Sequence, residues 1–202
     1  MSNINNNINL NSIALNHDSK HSLNDLCQYD WITLNNYNLY NDFSYFKLHS
    51  QVQHIAMDND CNMHYKKDYF CSILQHTYRF IKLAFSLSKV KTISINTIMG
   101  KDLLHDIYSE LKDTRYSGTL NIISSKCVDL SQLYDLKHLN LTYYKDKYDF
   151  DFMEYKYENV VCNKEYSNLK TLNIDFQCNW NCIDREVYEN FDNDVGDIKC
   201  YL

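Results

Sequence analysis

Leu136-Lys137-His138-Leu139-Asn140-Leu141 and Leu169-Lys170-Thr171-Leu172-Asn173-Ile174 are one pattern written twice: apolar, two variable residues, apolar, one variable, apolar. The last two apolar residues of each copy stand two apart, the spacing that puts side chains on one face of a β-strand. The apolar residue three places earlier turns the chain into the strand and plugs the same core. Working outward, Val52-Ile55-Met57, Val90-Ile93-Ile95 and Val195-Ile198-Cys200 carry the same pattern. Leu120-Ile122 is a degraded copy with Ser117 in the first place.

The pattern resembles the LxxLxL element of leucine-rich repeats. That resemblance implies an α/β fold, a short solenoid of parallel strands with helices on one side. The middle apolar residues fall at 55, 93, 120, 139, 172 and 198, giving intervals of 38, 27, 19, 33 and 26 residues. The family's period is roughly 20–29 residues, so the array is irregular and two units carry insertions. Between strands, Phe70, Ile73, Leu74, Tyr78, Ile81 and Phe85 recur at three- and four-residue steps, which predicts an amphipathic helix over Phe70–Ser88. Asp102–Lys112 and Ile183–Phe191 read as further helices, and Tyr143–Tyr157 as an extended Tyr-rich loop. Alternating strands and helices also fit a doubly wound sheet. Such a sheet calls for a phosphate-binding turn or catalytic loop, and Gly100-Lys101-Asp102 lacks the earlier Gly and the Ser or Thr of a P-loop.

Residues 1–11 read as a disordered Asn-rich tail, 12–48 as a helical segment and 49–202 as the repeat domain. In the middle segment Ser12–Leu15 and Leu23–Leu34 are the expected helices, with Ser22 as a cap. Leu23, Leu26, Cys27, Trp31 and Leu34 then form an apolar stripe. With Leu39-Tyr40 following, the stripe resembles the second part of an F-box, although the family's opening Leu-Pro has no counterpart in a chain without proline. The resemblance implies a substrate-recognition subunit of a ubiquitin ligase, with those five residues binding a Skp1-like adaptor. The other reading is a helical cap on a stand-alone repeat scaffold.

The net charge of −6 and the lack of a Lys/Arg cluster beyond Lys66-Lys67 argue against nucleic-acid binding. Met1–Asn11 lacks the cationic start and apolar core of a signal peptide, and no stretch approaches 18 consecutive apolar residues. The chain is therefore expected in the cytoplasm or nucleus, with its eight cysteines as thiols. Cys61-x-x-His64 and Cys178-x-x-x-Cys182 have chelate-like spacing, and a zinc-binding α/β protein is the metal alternative. Without G-x-S-x-G, H-E-x-x-H or a Gly-rich phosphate loop, the sequence points to no enzyme, and no cofactor is expected. A protein partner is expected on the concave repeat face, with Ser94, Asn121, His138, Asn140, Thr171, Asn173 and Asp175 as its contacts. The final unit runs to Leu202, as in a shortened member of a longer array.

Overall fold

Residues that alternate apolar and polar form the strands, and most of the apolar strand residues whose burial is described lie in the core. The computed structural model describes residues 11–16, 19–35, 44–58, 67–145, 161–162, 168–178 and 198–201. The principal sheet contains β1 (Ser12–Asn16), β2 (Trp31–Asn35), β3 (His54–Asp58), β4 (Thr92–Met99) and β5 (Thr119–Ser124). It continues through β7 (His138–Lys145), β9 (Thr171–Cys178) and β10 (Ile198–Tyr201). Two short strands, β6 (Val128–Asp129) and β8 (Val161–Cys162), pair separately.

From β1 to β9 the strands of the principal sheet are parallel and lie in chain order. A doubly wound sheet reverses its strand order at a switch point; the described strands have no such reversal. Right-handed crossovers that always step the same way put every connection on the same face. Accordingly α2 (Lys67–Ser86) and α3 (Lys101–Thr114) pack on each other, with Lys82 Nζ 2.8 Å from Glu110 Oε1. Phe80, Ile81, Ala84, Leu103, Leu104, Ile107 and Leu111 from these helices join the strand residues in one core. α3 contains the expected Asp102–Lys112, whereas α2 ends at Ser86, two residues short of the expected Phe70–Ser88.

The register is uniform. Ile13, Ile32, Ile55, Ile93, Leu120, Leu139 and Leu172 stand side by side, and so do Leu15, Leu34, Met57, Ile95, Ile122, Leu141 and Ile174. All but the partly buried Ile13 are buried. Each fully buried aliphatic side chain contributes about 1.5–3 kcal/mol, so these two rows supply much of the driving force for folding. The plugs Val52, Val90, Leu136 and Leu169 are buried as the pattern requires. In the degraded unit Ser117 is exposed, and Tyr116 fills the place instead. Its ring meets Phe85 edge-on and its hydroxyl donates to Thr119 O at 2.9 Å. Gly118 makes room for it: a Cβ there would collide with the Tyr116 hydroxyl and the main-chain oxygen of Lys91.

Three expectations are corrected. First, residues 12–48 are not a helical segment. They hold two strands, β1 and β2, with a 3-10 helix at Leu23–Leu26 and α1 (Ser44–His49) between β2 and β3. The helical stripe loses to the sheet because Ile55 and Met57 of β3 need a neighbour. Ile32 and Leu34, two apart, cover them in register. The Ser22 cap does form: Asp25 N–H donates to Ser22 Oγ at 3.4 Å and Ser22 N–H to Asp25 Oδ2 at 2.9 Å. Second, Tyr143 and Tyr144 are in β7 rather than in a loop, with Tyr143 buried. Third, the unit ending at Cys200 runs antiparallel along β9, with Ile198 opposite Ile174, instead of adding a parallel strand. Such a return strand takes up the open edge of the parallel sheet. The remainder of the Tyr-rich segment and the Ile183–Phe191 helix lie outside the described residues. Among the described residues no helix is long and apolar enough to cross a membrane.

Candidate functional site

With one set of alternating residues in the core and the described helices packed against it, the other set faces away. Two rows cross this second face. The first is Trp31, His54, Thr92, Thr119, His138 and Thr171. The next is Ala14, Thr33, Ala56, Ser94, Asn121, Asn140 and Asn173. None of these residues is fully buried.

The second row is bonded strand to strand over its C-terminal half. Asn121 Nδ2 donates to Ser94 Oγ at 2.7 Å, Asn140 Nδ2 to Asn121 Oδ1 at 2.6 Å, and Asn173 Nδ2 to Asn140 Oδ1 at 2.6 Å. Every link points the same way, so each amide polarises the next. An Asn amide has two N–H donors. The ladder uses one, and the other makes no hydrogen bond among the described residues. Beside the ladder, His138 Nδ1 is 2.8 Å from Thr171 Oγ1. Asp175 stands exposed in register with Thr142. Thus the geometry brings Ser94, Asn121, His138, Asn140, Thr171 and Asn173 together on one face, with Asp175 toward the strand ends.

In the N-terminal half of the face, Ala14, Trp31 and Thr33 stand beside His54 and Ala56 of the unit at Val52-Ile55-Met57. Trp31 and His54 stack with ring centroids 4.9 Å apart and planes 25° apart. The Trp31 indole N–H donates to Thr33 Oγ1 at 3.2 Å. Trp31 stays 40% exposed, which leaves much of an aromatic ring open beside the small side chains of Ala14, Thr33 and Ala56. Burial and the nearby Lys91 charge push the His54 imidazole below its ordinary pKa, against the opposing pull of Asp30. The signal for this half was present: Tyr29-Ile32-Leu34 fits the repeated pattern, and its variable residue between core positions is Thr33.

The five residues expected to meet an adaptor are dispersed by the strands. Leu26 and Leu34 are buried in the core, Cys27 is partly buried, and Trp31 belongs to the open face. Leu23 starts the 3-10 helix, and its side chain lies outside the described residues. Of the zinc candidates, Cys178 ends β9, while Cys61, His64 and Cys182 fall outside the described residues. Among the described residues no three His, Cys, Asp or Glu side chains gather as metal ligands.

The chain matches no protein-family model, no curated protein and no solved structure.

Proposed function

We propose that the chain is a leucine-rich-repeat-type solenoid working as a protein-binding module, with its partner lying across the sheet face opposite the helices. The observation that carries this reading is the bonded row Ser94-Asn121-Asn140-Asn173. Four strands present these side chains at fixed spacing on a face that no described helix covers, and the bonds between them lower the entropy to be lost when a partner docks. Trp31 adds a large amphipathic ring at the other end, the residue type that most often dominates protein interfaces.

A stand-alone scaffold is favoured over an F-box-like ligase subunit by the burial of Leu26 and Leu34, which removes two of the five expected adaptor contacts from the surface. Two variants separate the readings. Asn140→Leu with Asn173→Leu removes ladder donors while roughly keeping side-chain volume, and Trp31→Ala removes the ring. Affinity capture with quantitative mass spectrometry is expected to lose the same protein with both variants while circular dichroism stays native. Retention of that partner by both variants contradicts the binding face. Stoichiometric binding of a purified Skp1-like adaptor by the wild-type chain restores the ligase reading.

A further inference from the structure

The positions just ahead of the strands form a starting rim, in order Asp30, Gln53, Lys91, Gly118, Lys137 and Lys170. Their carbonyls bind the next strand's entry. Asp30 O accepts from Gln53 N–H at 2.8 Å, Gln53 O from Lys91 N–H at 2.7 Å and Lys91 O from Thr119 N–H at 2.8 Å. Gly118 O accepts from His138 N–H at 3.3 Å and Lys137 O from Lys170 N–H at 2.8 Å. These positions are therefore ranked strand by strand along the starting edge of the sheet, one residue ahead of the first row of the open face.

Lysine dominates this rank. Lys91 Nζ donates to Gln53 Oε1 at 2.7 Å, and the neighbouring Lys89 Nζ to Gln51 Oε1 at 2.6 Å. Lys137 and Lys170 are exposed and, among the described residues, have neither an ion pair nor a side-chain hydrogen bond. Asp30 and Asp135, which precedes the plug Leu136, are acids near the same rim. Like charges opposite one another on adjacent strands are unfavourable. Lys137 and Lys170 hold such positions in a chain whose net charge is −6, so the rim runs against both the local and the overall charge balance.

We propose that this rim docks an acidic, extended segment of the protein partner, its carboxylates meeting Lys91, Lys137 and Lys170 while its main chain meets the free amide donors of the ladder. The inference rests on the reading of the open face as a binding surface and names the partner's chemistry. Neighbouring strands are about 4.8 Å apart and an extended chain advances about 3.3 Å per residue. The three lysines thus span about four to five partner residues, room for two or three carboxylates. Asp58, exposed at the far end of β3, and Asp175, exposed beyond Asn173 on β9, disfavour the reverse placement.

The test uses the full chain and a short fluorescein-labelled peptide of alternating Glu and Ser, followed by fluorescence anisotropy. A Gly-Ser peptide and oligothymidylate of equal length are the comparison probes. The Glu-Ser peptide is expected to bind best, and added salt to weaken it because exposed pairs are screened. Lys137→Glu with Lys170→Glu is expected to cut affinity about tenfold or more, since two attractions become two repulsions. Lys137→Gln with Lys170→Gln gives a smaller loss without introducing repulsion. Equal binding of the Gly-Ser peptide, preference for the oligonucleotide, or unchanged affinity in the Lys137/Lys170 variants overturns the proposal. If the lysine variants weaken binding and Asn140→Leu with Asn173→Leu does not, the rim stands and the face reading fails. If the asparagine variants alone lose a captured partner, the face stands and the rim fails.

Discussion

The two halves of the open face are built on the same core but finished differently. Over β1 to β3 the central row is Ala14, Thr33 and Ala56, and the neighbouring row holds the Trp31–His54 stack. Over β4 to β9 the central row is Ser94, Asn121, Asn140 and Asn173, tied by side-chain hydrogen bonds. Small side chains leave room for a partner to approach the aromatic pair. Amides of one length in register lock each other in place. Near the strand ends of the first half, Asn35 Nδ2 donates to Asn16 Oδ1 at 3.2 Å, but Asn35 Oδ1 is buried with no hydrogen-bond partner among the described residues. Asp58, next in register, offers no donor, so the amide bonding does not propagate there. One half is thus suited to apolar contact and the other to directional hydrogen bonding, from a single strand template.

The largest expected effect tests whether both halves share one core. Ile32→Ala and Leu139→Ala each remove a buried side chain at the same register position and are expected to cost about 2–5 kcal/mol. Urea unfolding followed by far-ultraviolet circular dichroism should give one transition, shifted in both variants. An Ile32→Ala protein with an unshifted transition would make β1 and β2 an appendage rather than part of the sheet.

Next in size is the entry to β5, within the second half. Gly118→Ala is expected to destabilise by about 1–3 kcal/mol because the added methyl meets Lys91 O and the Tyr116 hydroxyl. Pairing it with Tyr116→Phe, which removes the hydroxyl, should recover part of the loss in the same unfolding assay. The collisions with Lys91 O and with the Cζ carbon of the ring remain, so full recovery would mean that the hydroxyl alone sets the requirement for glycine.

The ladder comes third. Asn140→Ala breaks two hydrogen bonds and is expected to cost about 1–2 kcal/mol, whereas Thr33→Ala, at the matching position in the other half, loses one weaker contact and less stability. Equal losses would erase the distinction between the halves.

The smallest effect is a pH dependence confined to the first half. His54 is held below its ordinary pKa of 6.5 by burial and by Lys91. The unfolded chain therefore takes up this proton before the folded chain does. The contribution of His54 is complete above about pH 6.5 and is lost as pH falls through the lower folded-state value. His54→Gln should flatten the fall in urea midpoint between neutral and acidic pH, and an unchanged profile would remove His54 as its source.

These halves were unequally legible in the sequence. Leu136–Leu141 and Leu169–Ile174 repeat nearly letter for letter, so β7 and β9 and their face residues were readable at once. Units starting at Val52 and Val90 followed, and the helices between them announced themselves by long periodic stripes. The first two strands did not, because short segments satisfy two periods. Leu23, Leu26, Cys27, Trp31 and Leu34 step at helical spacing, while Ile32 and Leu34 step at strand spacing. The tertiary contact with β3 decides between them, and a local stripe does not contain that contact. Spacing held the missed clue: Ile13, Ile32 and Ile55 are 19 and 23 residues apart, close to the period of the later units. Val195-Ile198-Cys200 failed differently, since alternation places residues on a face without fixing strand direction. The Trp31–His54 stack is hidden for the same reason as β2, being a contact across two strands of which one carries a helical stripe.

The central claim is that a protein partner lies on the face opposite the helices. Site-specific photo-crosslinking tests it most directly, with a benzophenone amino acid placed at Thr33 or Thr142 on that face and at Lys112 on α3. The account predicts adducts to one common protein from Thr33 and Thr142 and none to it from Lys112. An adduct to that protein from Lys112, with none from either face position, would contradict it.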